Sequence, residues 1–166
     1  MSLEDAICAN DVEALKRFSR HRGGFQTAEK RREAWPLLLG VDKYKTVDYR
    51  GYHQESVNDD DAQLRCDVAR SMWNVDDTEQ WCDAMRSTRR MTLYHIIGAI
   101  MSRNPALHYY QGFHDVVSVF ILVLEDDHTA FQVAEAAALR FFGDCMRKDF
   151  TIISEVMNLN LLLTQH

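Results

Sequence analysis

Gln111-Gly112-Phe113-His114-Asp115-Val116-Val117-Ser118-Val119-Phe120-Ile121-Leu122-Val123-Leu124 is the stretch on which the fold turns. Beyond Asp115 it is apolar nearly all round, as expected of a helix buried at the centre of a domain. Its β-branched residues Val116, Val117, Val119, Ile121 and Val123 also suit a strand. Helix is the reading the rest of the chain favours, because no second strand is evident to pair with it. The apolar run is interrupted by Ser118 and falls far short of the roughly 20 residues that cross a bilayer, so it belongs in a core.

Outward from this segment the chain reads as all-α. Only two prolines and seven glycines occur in 166 residues, and apolar residues recur mostly at spacings of three and four. Helices are expected over Leu3 to Ala9 and over Asp11 to Arg20, the second with Asn10 as N-cap and Glu13 as its answering carboxylate. After Gly23-Gly24, Thr27 can cap a helix that carries Arg31, Trp35, Leu38 and Leu39 on one face, with Pro36 bending it and Gly40 stopping it. Residues 41 to 57 have weak periodicity and read mostly as loop.

The run Asp59-Asp60-Asp61 suits the first turn of a helix ending near Arg70, where carboxylates meet the positive end of the helix dipole. A long helix is expected after Thr78, carrying Trp81, Met85, Ile96 and Ile100 as far as Asn104-Pro105, slightly weakened by Gly98. Two more are expected at His128 to Phe142 and Phe150 to Gln165. Trp35, Trp73 and Trp81 are expected in the core.

The length suits one domain, 1–166, at roughly 150 residues per domain. Such a domain buries about 70% of its unfolded surface and needs no disulfide or metal to hold it. Nineteen Lys and Arg against 25 Asp and Glu give a formal charge of −6, which disfavours non-specific attraction to nucleic acid or anionic lipid. Cys8, Cys66, Cys82 and Cys145 lack the paired spacing of zinc sites and read as reduced intracellular thiols, with no metal expected. Met1-Ser2-Leu3-Glu4-Asp5 lacks the basic start and long apolar run of a signal peptide.

Two places carry candidate chemistry. Arg70 closes Leu64-Arg65-Cys66-Asp67-Val68-Ala69-Arg70, with Asp67 one turn earlier and within side-chain reach. A guanidinium so anchored suits a polyphosphate whose oxygens redistribute charge during transfer. The plainer alternative is a surface arginine in an ordinary intrahelical ion pair. In His108-Tyr109-Tyr110-Gln111-Gly112-Phe113-His114-Asp115, Gln111 can be held by aromatic packing while Gly112 permits close backbone approach. Its amide can donate to a phosphate and accept from a water; alternatively it only starts a buried helix. His114 and Asp115, with His108, lack a convincing ligand set and read as structural. The chain has no Gly-x-x-x-x-Gly-Lys-Ser/Thr loop, so a nucleotide would have to arrive with a partner.

Three ordered segments resemble the TBC-domain family of Rab GTPase-activating proteins. Arg31-Arg32-Glu33-Ala34-Trp35-Pro36-Leu37-Leu38 resembles the family's Arg-x-x-x-Trp block, Leu64 to Arg70 its Ile-x-x-Asp-x-x-Arg block, and Tyr109 to Gly112 its Tyr-x-Gln-Gly block. The run Asn104 to Asp115 resembles the branch that carries a C-terminal membrane anchor and acts on early-secretory Rabs. His114 departs from the Asn that many members have at this place, although the anchored branch looks similar to this chain here.

The resemblance implies an all-helical, two-lobed domain, of which this chain matches the N-terminal lobe while the blocks of the C-terminal lobe are absent. It makes Arg70 an arginine finger and Gln111 a glutamine finger. Asp67, Tyr109 and Gly112 would support them, and Arg31 and Trp35 would support the fold. The implied reaction is attack of water on the γ-phosphate of Rab-bound GTP, in which an arginine supplied from outside is worth about 10³ to 10⁵ in rate. GTP and Mg²⁺ would be carried by the Rab, and the chain would need no cofactor and would not itself hydrolyse nucleotide. The implied setting is the cytoplasm, on the cytosolic face of early-secretory membranes, with any peripheral association due to residues beyond 166. A non-catalytic helical adaptor that binds a Rab or another protein is the alternative.

Overall fold

The computed structural model of the chain describes residues 1–55, 60–73 and 82–147. Among these are seven α-helices and no strand: α1 (Leu3–Cys8), α2 (Val12–Arg20), α3 (Ala28–Leu38), α4 (Asp61–Ala69), α5 (Asp83–Arg103), α6 (Phe113–Leu124) and α7 (Asp127–Ala137). A 3₁₀ turn, Arg50–Glu55, breaks the expected 41–57 loop, and a π-type turn, Ala138–Phe142, prolongs α7. The all-α expectation holds. The expected helix over 150–165, with its apolar tract, lies outside the described residues, as do Asp59, Thr78 and Trp81.

Short polar side chains set the starts of α1, α2, α3 and α7. Ser2 and Asp5 exchange cap bonds at α1, Thr27 accepts from Lys30 N–H at α3, and Asp126 accepts from Thr129 N–H at α7. At α2 the expectation is off by one residue. Asp11 is the N-cap and accepts from Ala14 N–H at 2.9 Å. Asn10, at φ 51°, lies in the left-handed region that asparagine tolerates and so ends α1 instead. Glu13 pairs with Lys16 rather than with a cap.

The segment 111–124 is helical from Phe113, with Gly112 at φ 102° as its N-cap. It is not buried all round. Phe113, Val117, Ile121 and Leu124 fall at helical spacing and enter the central core beside Leu93, Ile96, Ile97 and Ile100 of α5 and Phe131 and Ala134 of α7. The opposite face carries Asp115 and Val119, the latter 46% exposed. Composition alone could not separate these faces because apolar residues occupy both. The helix reading wins over the strand because its period places Val117, Ile121 and Leu124 on one side.

A smaller cluster, Leu3, Ala6, Ala14, Leu15, Phe25 and Ala34, joins α1, α2 and α3. Trp35 packs against both clusters and meets the Phe120 ring edge-on at 5.7 Å. Its large indole therefore ties the N-terminal helices to α6. The neighbouring Arg32 adds a polar tie: Nε donates to the Val123 carbonyl at 2.7 Å and Nη2 reaches Glu125. The loop before α4 is held to α7, with Tyr49 stacked on Phe131 at 5.2 Å and His128 Nδ1 donating to the Val47 carbonyl at 2.8 Å. Among the described residues no helix is long and apolar enough to cross a membrane.

Candidate functional site

The segment 108–114 is fastened to α4 at both ends of that helix. Asp60, the N-cap residue of α4, makes no side-chain bond to its own helix. Its Oδ2 instead accepts from Tyr109 N–H at 2.9 Å and lies 3.4 Å from His108 Nδ1. The acidic run thus does more than meet a helix dipole. Two turns later Asp67 receives the same segment, so two carboxylates on one face of α4 fix where the chain before α6 runs.

Asp67 is the centre of the network. It is 2% exposed and accepts from Gln63 Nε2 at 3.0 Å, Arg70 Nη2 at 2.7 Å and the Tyr109 hydroxyl at 2.9 Å. Burial alone would push this carboxyl up. The hydrogen bonds from Gln63, Tyr109 and Arg70, with His114 nearby, outweigh burial and hold it below the usual carboxylate range. Asp67 is therefore an anion at neutral pH, and its charge is directed at Arg70.

Tyr109 has one proton, and a carboxylate can only accept, so the hydroxyl donates to Asp67. Its oxygen also lies 2.7 Å from His114 Nδ1. With the phenol proton committed to Asp67, His114 Nδ1 must be the donor in that contact. His114 Nε2 faces Asp115 Oδ1 at 3.4 Å. Burial and the Asp67 charge push Tyr109 ionisation far above its ordinary value, so the phenol keeps its proton. His114 thus has a place in the site, as the second support of Tyr109.

Arg70 is the C-cap of α4, and its side chain is 69% exposed despite the Asp67 pair. Its Nε also donates to the Cys66 carbonyl at 3.3 Å. The guanidinium is held on two edges and remains open to an incoming anion. Gln111 is exposed, between the half-exposed Tyr110 and Gly112. The left-handed turn at Gly112 sets the direction in which α6 leaves, and exposed Gln111 is the residue just before that turn. Arg70 and Gln111 thus stand on two segments joined through the Asp67–Tyr109 bond.

Beside Arg70 an open groove of 520 Å³ is lined by Arg70, Met72, Trp73, Asp115, Val119 and Leu122 among others. Trp73 was expected in the core, but it is 62% exposed. Arginine side chains from α5 meet its ring in place of apolar ones. Gln63, Arg86 and Arg90 also take part around the site, although no sequence motif marks them, and Asp60 adds to its place at the helix start a bond to Tyr109. The one sequence signal for Gln63 was its position four residues before Asp67 on a common helix face. Arg31 and Trp35 lie on α3, away from this network, with Trp35 packed against both core clusters.

A family model described as the Rab-GTPase-TBC domain matches residues 28–166. The chain is 33% identical over 148 residues to TBC1 domain family member 20 of Bos taurus, covering 89% of this chain and 36% of that protein. The Homo sapiens protein of the same name is 32% identical over the same shares of the two chains. GTPase-activating protein GYP8 of Saccharomyces cerevisiae is 29% identical over 112 residues, 68% of this chain and 22% of that protein. The chain therefore spans little more than a third of the length of the mammalian relatives it matches.

Proposed function

The chain belongs to the Rab-GTPase-TBC domain family, and from that premise we propose that it serves to accelerate GTP hydrolysis on a Rab-type small GTPase. Arg70 is the arginine finger and Gln111 the glutamine finger. Arg70 stabilises charge on the γ-phosphate oxygens while the Gln111 amide orients the attacking water, the task that such a GTPase otherwise gives to its own glutamine. Mg²⁺ and nucleotide come with the GTPase. In this reading Asp67 is a positioning residue for Arg70, and Tyr109 and Gly112 position Gln111.

One observation carries the reading: the buried Asp67 carboxylate binds both the Arg70 guanidinium and the Tyr109 hydroxyl, two residues before Gln111. An isolated surface ion pair needs no such second partner. Preorganisation of this kind suits electrostatic stabilisation, because donors already aimed need no rearrangement at the moment of reaction. The relatives named for GTPase activation are consistent with it, and the membrane setting implied by the resemblance remains part of the proposal.

The test is GTP hydrolysis by a panel of Rab proteins with the chain, with Arg70→Ala and with Gln111→Ala. Each substitution is expected to lower the stimulated rate at least ~10²-fold. A stimulation that survives both substitutions overturns the two-finger mechanism. Binding to a GTP-loaded Rab without any stimulation favours the adaptor alternative.

A further inference from the structure

The carbonyls that follow Arg70 are held by two guanidiniums from α5. Arg86 and Arg90 lie one turn apart on that helix, so their side chains leave it on the same side. Arg90 donates from Nε and Nη2 to the Ser71 carbonyl at 3.0 and 2.7 Å. Arg86 donates from Nε to the Met72 carbonyl at 3.3 Å. The Trp73 ring lies 4.6 Å from the Arg90 guanidinium and 5.3 Å from that of Arg86.

Between these contacts Met72 has φ 59°. This left-handed conformation is unfavourable for a residue with a Cβ and persists only where its surroundings hold it. The chain turns away from the end of α4 at this point, one residue after Ser71. Without the α5 contacts, nothing in the local sequence favours such a turn, since Met is neither Gly nor Asn.

The cations are costly to keep there. Arg86 is 5% exposed, with Asp83 at 3.1 Å as its ion-pair partner. Burial pulls Arg90 below its ordinary pKa, with the Arg86 charge adding to the effect. An apolar residue at either position would leave the Ser71 or Met72 carbonyl without its charged donor. Two guanidiniums that converge on successive carbonyls therefore suit a demand for geometry.

We propose that Arg86 and Arg90 are positioning residues for Arg70: they hold Ser71 and Met72 against α5, with Trp73 stacked across both, and so fix the direction in which the Arg70 side chain leaves α4. Asp67 restrains the guanidinium from the helix side, and the α5 pair restrains the backbone from the other. An exposed arginine so held loses less freedom when it meets a phosphate. The inference rests on the reading of Arg70 as the residue offered to the nucleotide.

The test uses Arg90→Met, which keeps a stem against Trp73 but removes both donors, and Arg90→Lys, which restores one. In the chain alone, nitrogen-15 relaxation is measured at Arg70 Nε and at the amides of Ser71 to Trp73. Wild type is expected to be ordered, Arg90→Met mobile and Arg90→Lys intermediate. With a responsive GTPase, Arg90→Met is expected to lower the maximal stimulated rate at least ~10-fold while KM changes little, the signature of a misplaced group. In an Arg70→Ala background the same substitution should add nothing.

Unchanged Arg70 relaxation in Arg90→Met overturns the proposal, as does an equal loss of rate with and without Arg70. Should no GTPase respond to wild type, the catalytic reading fails while the relaxation measurement still decides the clamp. If Arg90→Met does not fold, Arg90→Lys against wild type supplies the same comparison.

Discussion

Asp67 and Tyr109, 42 positions apart in the chain, meet through a 2.9 Å hydrogen bond from phenol to carboxylate. The proton in that bond stays on tyrosine, because burial and the Asp67 charge raise the phenol while three hydrogen bonds hold the carboxyl down. The bond therefore has one polarity at any ordinary pH. It makes the end of α4 and the start of α6 a single unit, on which both candidate fingers are mounted.

Tyr109→Phe should separate that unit with little change in shape. It removes one donor to buried Asp67 and leaves His114 Nδ1 without its 2.7 Å partner, so a loss of about 1–2 kcal/mol in unfolding free energy is expected. The stimulated hydrolysis rate should fall by more than an equally destabilising core substitution such as Ile121→Val lowers it. Urea unfolding and single-turnover hydrolysis, measured on both variants, check this. Equal losses of rate would reduce the bond to a packing contact.

Asp67→Asn is expected to change the acid dependence of stability. The folded carboxyl lies below its ordinary value of 3.8, so the unfolded chain takes up the proton first as pH falls. The contribution is whole above that ordinary value and is lost as pH drops through the folded value. At about pH 6 the variant should be less stable by about 1–3 kcal/mol, since a buried charge-assisted network is weakened. The gap should be narrower at about pH 3, below the ordinary carboxyl value, because asparagine does not titrate. Denaturant titrations at the two pH values measure it, and a gap that widens in acid contradicts the assignment.

The helices were legible where a local side chain decides a local outcome: Thr27 caps α3, and Asn104 follows the last residue of α5. Asn10 and Asp11 show the limit. Both residue types can cap, and only the sharp reversal between α1 and α2 assigns the left-handed position to Asn10 and the cap to Asp11. The Asp67–Arg70 pair could be read from a three-residue spacing. Its third partner, Tyr109, is bonded across the fold, and no periodicity reports that. Trp73 was misplaced because aromatic size suggests a core, whereas its ring is held by cations that neighbour it only in three dimensions.

Gly112→Ala tests how closely Gln111 depends on its turn. At φ 102° an added Cβ meets only a Tyr110 ring carbon, at 3.9 Å, which is ordinary contact. The cost is then conformational, about 1–2 kcal/mol, the usual penalty for an L residue in left-handed backbone. Relaxation of that strain would re-aim Gln111, so the stimulated rate is expected to fall ~10-fold or more, as for a displaced catalytic group. Thermal unfolding and single-turnover hydrolysis give the two numbers. A stability loss with full activity would show that Gln111 tolerates either turn.

Arg31 and Arg32 part company in the structure, although the motif that suggests a fold-supporting arginine points to Arg31. The side chain that crosses to α6 is Arg32, whose Nε donates to the Val123 carbonyl at 2.7 Å and whose Nη2 reaches Glu125. Val123 lies in the last turn of α6, where carbonyls lack helical partners and a cation is favoured by the helix dipole. Arg32→Ala is therefore expected to cost about 1–2 kcal/mol, most of it from the carbonyl left without its charged donor and little from the exposed ion pair. Arg31→Ala should stay within about 0.5 kcal/mol, as do most substitutions outside such ties. Urea unfolding of the two variants decides between them. The reverse order would mean that Arg31, not Arg32, holds α3 to the core.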